Sequence, residues 1–488
     1  MSPSTIAIIG AGFSGTLTAV HLLRWGLPGG LRILLINRSG LLARGVAYGT
    51  RTSAHVLNVP AGRMSAFPDD EESFVRYARW HDPTVTGGSF VPRRLYGDYL
   101  GALLDSAAAA APTGTSLERV VASVVDVSIM EGGAASYVGL GDGSILRVDR
   151  AVLSLGNYAP CNPSMADTSF YQSARYVRDP WQPGAFDDVP TDEPVLLVGT
   201  GLTMLDALLA LRARGVGATV HAVSRRGLLP QSHRSPGAPP SGAHFPPGLS
   251  AAPPTTRAYL RAVRSHVQES AKRGVDWRDV IGSLRPSTSA LWQTLSVAER
   301  ARFLRHVRSY WDVHRHRAAP EPAAALRADI EAGRLHVHAA RVLSMEDRGD
   351  RAVATLRPRG SDRISTLEVS TVVNCTGPES DTRTLEEPLV AALRGRGLLQ
   401  PDPLGLGVET SPEYSLVNAE GQASRVLYYV GPFLKALHWE ATAVPELRVH
   451  ALSLAEMLRA SMTHSKAQDE GATAGSRLPL AGADLGSL

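Results

Sequence analysis

Three glycines with the spacing of a phosphate cradle open the chain: Gly10-Ala11-Gly12-Phe13-Ser14-Gly15. In such a run the first glycine makes a tight turn, the second lets a pyrophosphate reach the backbone, and the third lets a helix pack against the preceding strand. Phe13 and Ser14 then fall at the start of a helix, where unpaired N–H groups and the helix dipole favour a phosphate. The chemistry implied is dinucleotide binding. The alternative is a glycine-rich α/β turn with no ligand. One position departs from the usual pattern. The following strand ends at Asn37, with Arg38 next, where an acidic residue normally accepts hydrogen bonds from a ribose. An amide accepts such a bond without charge assistance.

A second cradle follows at Gly199-Thr200-Gly201-Leu202-Thr203-Met204. Met204 takes the place of the third glycine, so its helix should stand further from its strand. Ser224-Arg225-Arg226 ends the next strand, where an adenine ribose would lie. Arginine there pairs with a 2′-phosphate, which favours NADPH over NADH. The plainer reading is two solvated arginines on a surface turn.

The elements that must position these residues are two βαβ units. Residues 5–9, 14–25 and 31–37 read as strand, helix and strand, and residues 194–200, 202–213 and 218–224 repeat the order. Between them, residues 98–111 read as a helix and 119–155 as strands with glycine turns. Residues 235–256 are dense in Pro, Gly and Ser and read as a long surface loop. A charged helical stretch, 256–317, precedes strands over 335–376, a last strand at 426–431 and a last helix over 439–460. From about residue 464 the chain is small and polar and is expected to be disordered.

Bulk composition excludes several classes. The 488 residues carry a net charge of only +4, which gives no nucleic-acid signal. The two cysteines, Cys161 and Cys375, are far apart, which argues against a disulfide framework, a zinc site or a dithiol flavoenzyme. Each is expected to be a small buried hydrophobe. No metal site is expected. No apolar run approaches a membrane span, and the expected location is the cytoplasm, with no membrane or nucleic-acid partner. HExxH, GxSxG and Walker A patterns do not occur, so hydrolase and kinase readings lack support.

Five blocks spread along the chain resemble a bacterial FAD-NAD(P)-binding family that includes a FAD-dependent urate hydroxylase. They are RGVAYGT (44–50) with HVLNVPAGRMSAFPDD (55–70), FVPRRLYGDYL (90–100), VGTGLTMLDALL (198–209) with SRRGLLPQSHR (224–234), YWDVHRHRAAPE (310–321) and VGPFLKALHWEATAVPELR (430–448). The two-site arrangement is similar more broadly to class B flavoprotein monooxygenases. The resemblance implies an α/β, glutathione-reductase-like fold with two Rossmann-like dinucleotide-binding domains. Residues 1–190 would begin an FAD domain, 191–345 would be an inserted NAD(P)H domain containing the helical stretch, and 346–463 would return to FAD.

The resemblance also implies roles. Leu57 and Asn58, in a turn-rich stretch, would lie near the flavin. Arg44 and Arg63 would approach FAD phosphates or an anionic substrate, or simply be surface arginines. Gly156, after Ser154, and Gly377, after Cys375, would mark the crossings between domains, and Gly431 would close over the ribityl chain. Trp439, Glu440 and Pro445 would open the last helix, whose dipole would stabilise charge on the flavin; Trp439 could equally be a core aromatic. His233 is a candidate active-site residue by position, with Asn58 and Arg63, and His438 would sit near the ring. His314, Arg315, His316 and Arg317 read as a solvated helix face or an interdomain contact.

The implied activity is an NAD(P)H- and O2-dependent FAD monooxygenase, with urate to 5-hydroxyisourate, in purine catabolism, as the most concrete substrate. An N-hydroxylase acting on an amino acid or amine, an NAD(P)H–flavin oxidoreductase without oxygen insertion, and a non-catalytic FAD-binding protein remain as alternatives. The implied partners are a small-molecule substrate and O2, and a homodimer is compatible with the resemblance.

Overall fold

The computed structural model describes residues 3–50, 52–234, 242 and 244–475. It contains two large sheets. The first runs in the order 415–417, 423–429, 150–153, 4–9, 31–36, 115–120, and the second in the order 365–369, 352–358, 335–347, 220–224, 195–198, 371–374, 176–177. Every pairing within the first is parallel except that of 415–417 with 423–429. The second is parallel from 335–347 to 176–177 and antiparallel beyond. A separate antiparallel sheet holds 124–129, 136–140 and 145–148.

The N-terminal strand Ser4–Ile9 is central to the first sheet, with Ile8 opposite Leu35 on one side and Val152 on the other. Buried on both faces, it reads as a continuous apolar run rather than an alternating one. The helix Phe13–Trp25 is buried nearly all round, because it lies between this sheet and the C-terminal helix Val444–Gly475. Leu17, Leu23, Leu454 and Leu458 are fully buried in their shared core.

Several boundaries differ from those read in the sequence. Strands 335–347, 352–358, 365–369 and 371–374 all belong to the second sheet, so the chain returns to the first only after Asn374, not at 346. Strand 176–177 joins the second sheet before residue 191. The helix Arg93–Ala109 starts five residues ahead of 98, and Ser73–His81, Pro320–Glu331 and Pro388–Gly395 are further helices. The last helix begins at Val444 rather than 439 and runs on through residues 464–475, so that part of the expected disordered tail is helical; 476–488 lie outside the described residues. Most of the expected 235–256 loop, residues 235–241 and 243, also lies outside them, while Pro247–Ser250 form a helical turn. Cys375 is buried as expected, but Cys161 is exposed. No helix among the described residues is long and apolar enough to cross a membrane.

One buried ion pair joins the two units. Arg93, at the start of its helix, donates to both oxygens of Asp206 at 3.1 and 2.9 Å and to the Val56 carbonyl at 2.9 Å. Asp206 lies on the helix Leu202–Ala213 of the second unit. Both side chains are about nine-tenths buried. His55 bonds the Asp206 carbonyl at 3.0 Å, and Trp181 packs on both Arg93 and His55. Removing one member leaves the other charged and unpaired in a dry site. Asp206→Ala is therefore expected to cost about 3–5 kcal/mol, measured by chemical denaturation. The paired replacement Arg93→Met with Asp206→Leu should recover most of that loss.

Candidate active site: two cradles and the junction between them

The two cradles are built alike. Gly10 follows strand Ser4–Ile9 with φ +104°, and a Cβ there would stand 2.1 Å from the Ser154 carbonyl oxygen. Gly199 follows strand Val195–Val198 with φ +122°, and a Cβ there would stand 2.2 Å from the Cys375 carbonyl oxygen. Only glycine accommodates both the left-handed backbone and the approach of the neighbouring strand end. Gly15 likewise lies against the Gly10 carbonyl, at 2.0 Å from the position of a Cβ. Its counterpart Met204 is fully buried in the second core, which holds the side chain that the first cradle has no room for.

The second glycine of each cradle is open on the side from which a pyrophosphate would approach. A Cβ on Gly12 would find only the Gly45 Cα, at 3.8 Å, and one on Gly201 would find nothing within 4 Å. No side chain caps the helix starting at Phe13 or the one starting at Leu202, so their first N–H groups, with those of Ser14 and Thr203, are left for a ligand. The open sides of Gly156 and Gly377 flank the two strand-end crossings. Gly431, with φ +144°, ends the returning strand Ala423–Tyr429.

Asn37 is engaged in its own turn: its side-chain oxygen accepts from the Ser39 N–H at 2.8 Å and hydroxyl at 3.0 Å. A ribose would have to share that oxygen. In the second unit, Ser224 bonds the Thr200 hydroxyl at 2.8 Å and accepts from the Gly227 N–H at 3.0 Å. The two arginines after it diverge. Arg225 is exposed and borders a pocket of about 350 Å³ together with Arg341, Arg357 and Arg359. Arg226 donates to the carbonyls of Arg305 and His306, at 3.1 and 3.0 Å, closing the C-terminus of the helix Val297–His306. It docks the helical stretch and is not turned to a ribose. Arg341, Arg357 and Arg359 had no local signal; only the pairing of Arg341 with Arg357 across adjacent strands gathers them.

The candidate residues Asn58, His233 and Arg63 meet at the junction. His233 Nε2 donates to the Asn58 carbonyl at 2.9 Å, and its ring packs on Phe90. The His233 backbone pairs with Ala318, and Gln231 with Val313, so the loop after the second unit's strand lies along residues 313–318. The Leu57 N–H bonds Val91, and that side chain is buried. The Asn58 carboxamide makes no hydrogen bond among the described residues. Burial, then Arg317, lowers the His233 pKa to about 4. Its ring is therefore neutral at ordinary pH, with the proton on Nε2 and the Nδ1 lone pair free. It acts here as a bridge, too weak a base to take a proton near neutrality.

Arginines crowd this junction. Arg278 pairs with Asp276 at 3.3 Å and Arg315 with Glu440 at 2.8 Å. Burial, then Arg315, Arg278 and Arg63, pushes Arg317 down to about 10. Arg317 has no carboxylate partner among the described residues and lies 5.7 Å from the centre of the Trp277 ring. Arg63, exposed at the end of a short helical turn, has none either. The surplus positive charge would complement an anion. Arg44, by contrast, is taken by Asp98 at 2.5 Å.

Trp439 precedes the last helix instead of opening it, and its ring packs on Trp292 at 4.7 Å within the helical stretch. Pro445 falls in that helix's first turn, and Glu440 is spent on Arg315 and on Trp311 Nε1 at 3.1 Å. His438 is held by the Ser289 hydroxyl at 2.7 Å. No group of three metal-ligating side chains occurs among the described residues.

A protein-family model described as FAD-NAD(P)-binding matches residues 7–158, the stretch that holds the first cradle and its crossing. No curated protein matches the chain. Solved structures align over nearly its whole length. L-lysine 6-monooxygenase from Pseudomonas syringae superposes with a TM-score of 0.63 at 18% identity, covering 94% of this chain and 99% of its own. The ornithine N-hydroxylase of Kutzneria sp. 744 gives 0.61 at 15%, with 94% and 99% covered. The cadaverine monooxygenase of Erwinia amylovora gives 0.59 at 13%, with 94% of each covered. The fold is that of two-dinucleotide-binding flavoproteins.

The state of His233 can be checked directly. An NMR titration should show its ring neutral from pH 8 to pH 5, protonating with a midpoint about 4. A midpoint near 6.5 would mean that the ring is not buried among the guanidinium groups of the junction.

Proposed function

We propose that this chain is an NADPH-dependent FAD monooxygenase that inserts one oxygen atom into a small molecule. The observation that carries this reading is the repeated cradle, Gly10 against Ser154 and Gly199 against Cys375, in one fold whose units meet through His233 and Asn58. FAD would be held at residues 10–15, with Gly156 and Gly431 alongside, and NADPH at residues 199–203. FAD held there would supply two-electron chemistry between the nicotinamide and O2. In balance, substrate, O2, NADPH and a proton give hydroxylated substrate, NADP⁺ and water.

The chain's own residues have separable tasks. The uncapped helix starts at Phe13 and Leu202 place N–H groups for two pyrophosphates. Arg225, with Arg341 and Arg357, offers guanidinium groups to a 2′-phosphate. Arg93 and Asp206 hold the units in register, and His233 ties the reductant unit's loop to the segment at Asn58. The free Asn58 carboxamide can hydrogen-bond a ligand. Arg317 and Arg63 would hold a phosphate or carboxylate.

Among monooxygenations, N-hydroxylation of an amine is better supported than hydroxylation of urate. The structures similar over the whole chain include enzymes named for ornithine, lysine and cadaverine. Nothing in the site selects a purine.

Purified protein should be yellow and should consume NADPH and O2 in step with an N-hydroxylated product when supplied with a panel of amines. NADPH oxidation yielding only hydrogen peroxide across the panel would count against oxygen insertion. Gly12→Asp places a carboxylate where the pyrophosphate approaches, and should give a folded but colourless protein by visible absorbance. Arg225→Ala should raise the KM for NADPH about tenfold, by loss of one charge-assisted contact of about 1.4 kcal/mol, while leaving that for NADH nearly unchanged. An equal effect on both would remove the 2′-phosphate role.

A further inference from the structure

The helical stretch after residue 256 is not needed to build either cradle, yet it encloses a cavity of about 820 Å³. That size falls within the ~300–1,000 Å³ of ordinary small-molecule sites. The helix Thr256–Ala271 explains how it forms. Tyr259, Val263 and Val267 recur at helical spacing and turn their apolar stripe to the cavity. A large apolar cleft open to water is costly to leave empty, so one of this size walled by apolar side chains points to an occupant.

Floor and mouth differ in chemistry. Leu284, Trp292, Leu295 and Trp439 form a buried apolar floor. Trp277, Phe303 and Trp311 are aromatic walls. Arg264, Gln268, His306 and Tyr310 are exposed and ring the mouth. Arg264 makes no ion pair among the described residues. Arg226 adds a second guanidinium beside the mouth, 4.8 Å from the Tyr310 ring centre. None of the lining residues is acidic.

We propose that this cavity binds a hydrophobic carboxylic acid, its apolar body inserted to the Trp439 floor and its carboxylate at Arg264. An ammonium at the same end would meet guanidinium and imidazole groups and no counter-charge. The site is separate from both cradles, and the inference does not depend on the reaction assigned to them.

Four of the seven tryptophans, Trp277, Trp292, Trp311 and Trp439, line the cavity, so intrinsic fluorescence reports occupancy. The test titrates the purified full-length protein with dodecanoate and, separately, dodecylamine. Dodecanoate should give a saturable change, and dodecylamine should bind about tenfold or more weakly. Arg264→Glu, at an exposed helix position, should invert that order. Val263→Phe, which fills the cavity, should weaken both without altering the circular dichroism melt. The flavin band recorded on the same samples reports the cradle reading separately, and its absence would leave this result standing. No saturable change, or equal binding of acid and amine, overturns the proposal. A response that appears only after removal of residues 476–488 would make the chain's own end the occupant and overturn it as well.

Discussion

The buried ion pair of Arg93 with Asp206 ties the two halves of this fold together at the helix that begins at the second cradle. Each half has its own sheet and core, and neither sheet shares a strand with the other. What they share at this point is a charge pair with little access to water, braced by His55, Trp181 and the Val56 carbonyl. Such a pair adds little net stability over an apolar contact, since desolvation offsets most of its attraction. Its value is directional. One terminal nitrogen of Arg93 reaches both oxygens of Asp206 while its Nε holds the Val56 carbonyl, so the guanidinium is fixed from two sides. The helix Leu202–Ala213 begins at the second cradle, so fixing Asp206 also fixes where that cradle points.

The cradles themselves are solved twice by one constraint. In each unit a strand ends in a left-handed glycine, and a neighbouring strand end presses its carbonyl into the space that a side chain would occupy. The first unit keeps a third glycine and packs its helix close; the second fills the equivalent position with Met204. Phosphate-facing geometry thus survives a change in helix packing, because it depends on the turn and the uncapped helix start. At the junction, His233 stays neutral because burial and neighbouring guanidinium groups oppose its charging. The same crowding leaves Arg317 and Arg63 without a paired carboxylate among the described residues, a deficit that an anionic ligand would fill.

Much of this was legible in the sequence. Both βαβ units, the glycine-rich turns and the helical stretch follow from local pattern, whereas the contact of His233 with Asn58 does not. Features created by tertiary pairing were not. Nothing local in strands 352–358 and 365–369 says which sheet they join, and a boundary at 346 falls inside the second sheet. Arg341, Arg357 and Arg359 reach Arg225 only through cross-strand register. Arg226 and Trp439 look from the sequence like cofactor contacts, but they are taken up by docking the helical stretch, whose position no periodicity could reveal. Asn37 follows the second strand of the first unit, where a ribose was expected, yet the turn that follows it takes its oxygen.

The two crossings between the units have an architectural consequence. Asn374 donates to the Cys161 carbonyl at 2.9 Å, and Tyr158 bridges to Glu379, so the outgoing and returning chains run side by side. Residues 162–374 therefore leave and re-enter the first unit through one doorway. A segment whose ends already touch can be exchanged for another without rerouting the host chain. The second unit is in that sense a cartridge: its reductant preference could be replaced wholesale while the first cradle, with its central strand and covering helices, stays intact.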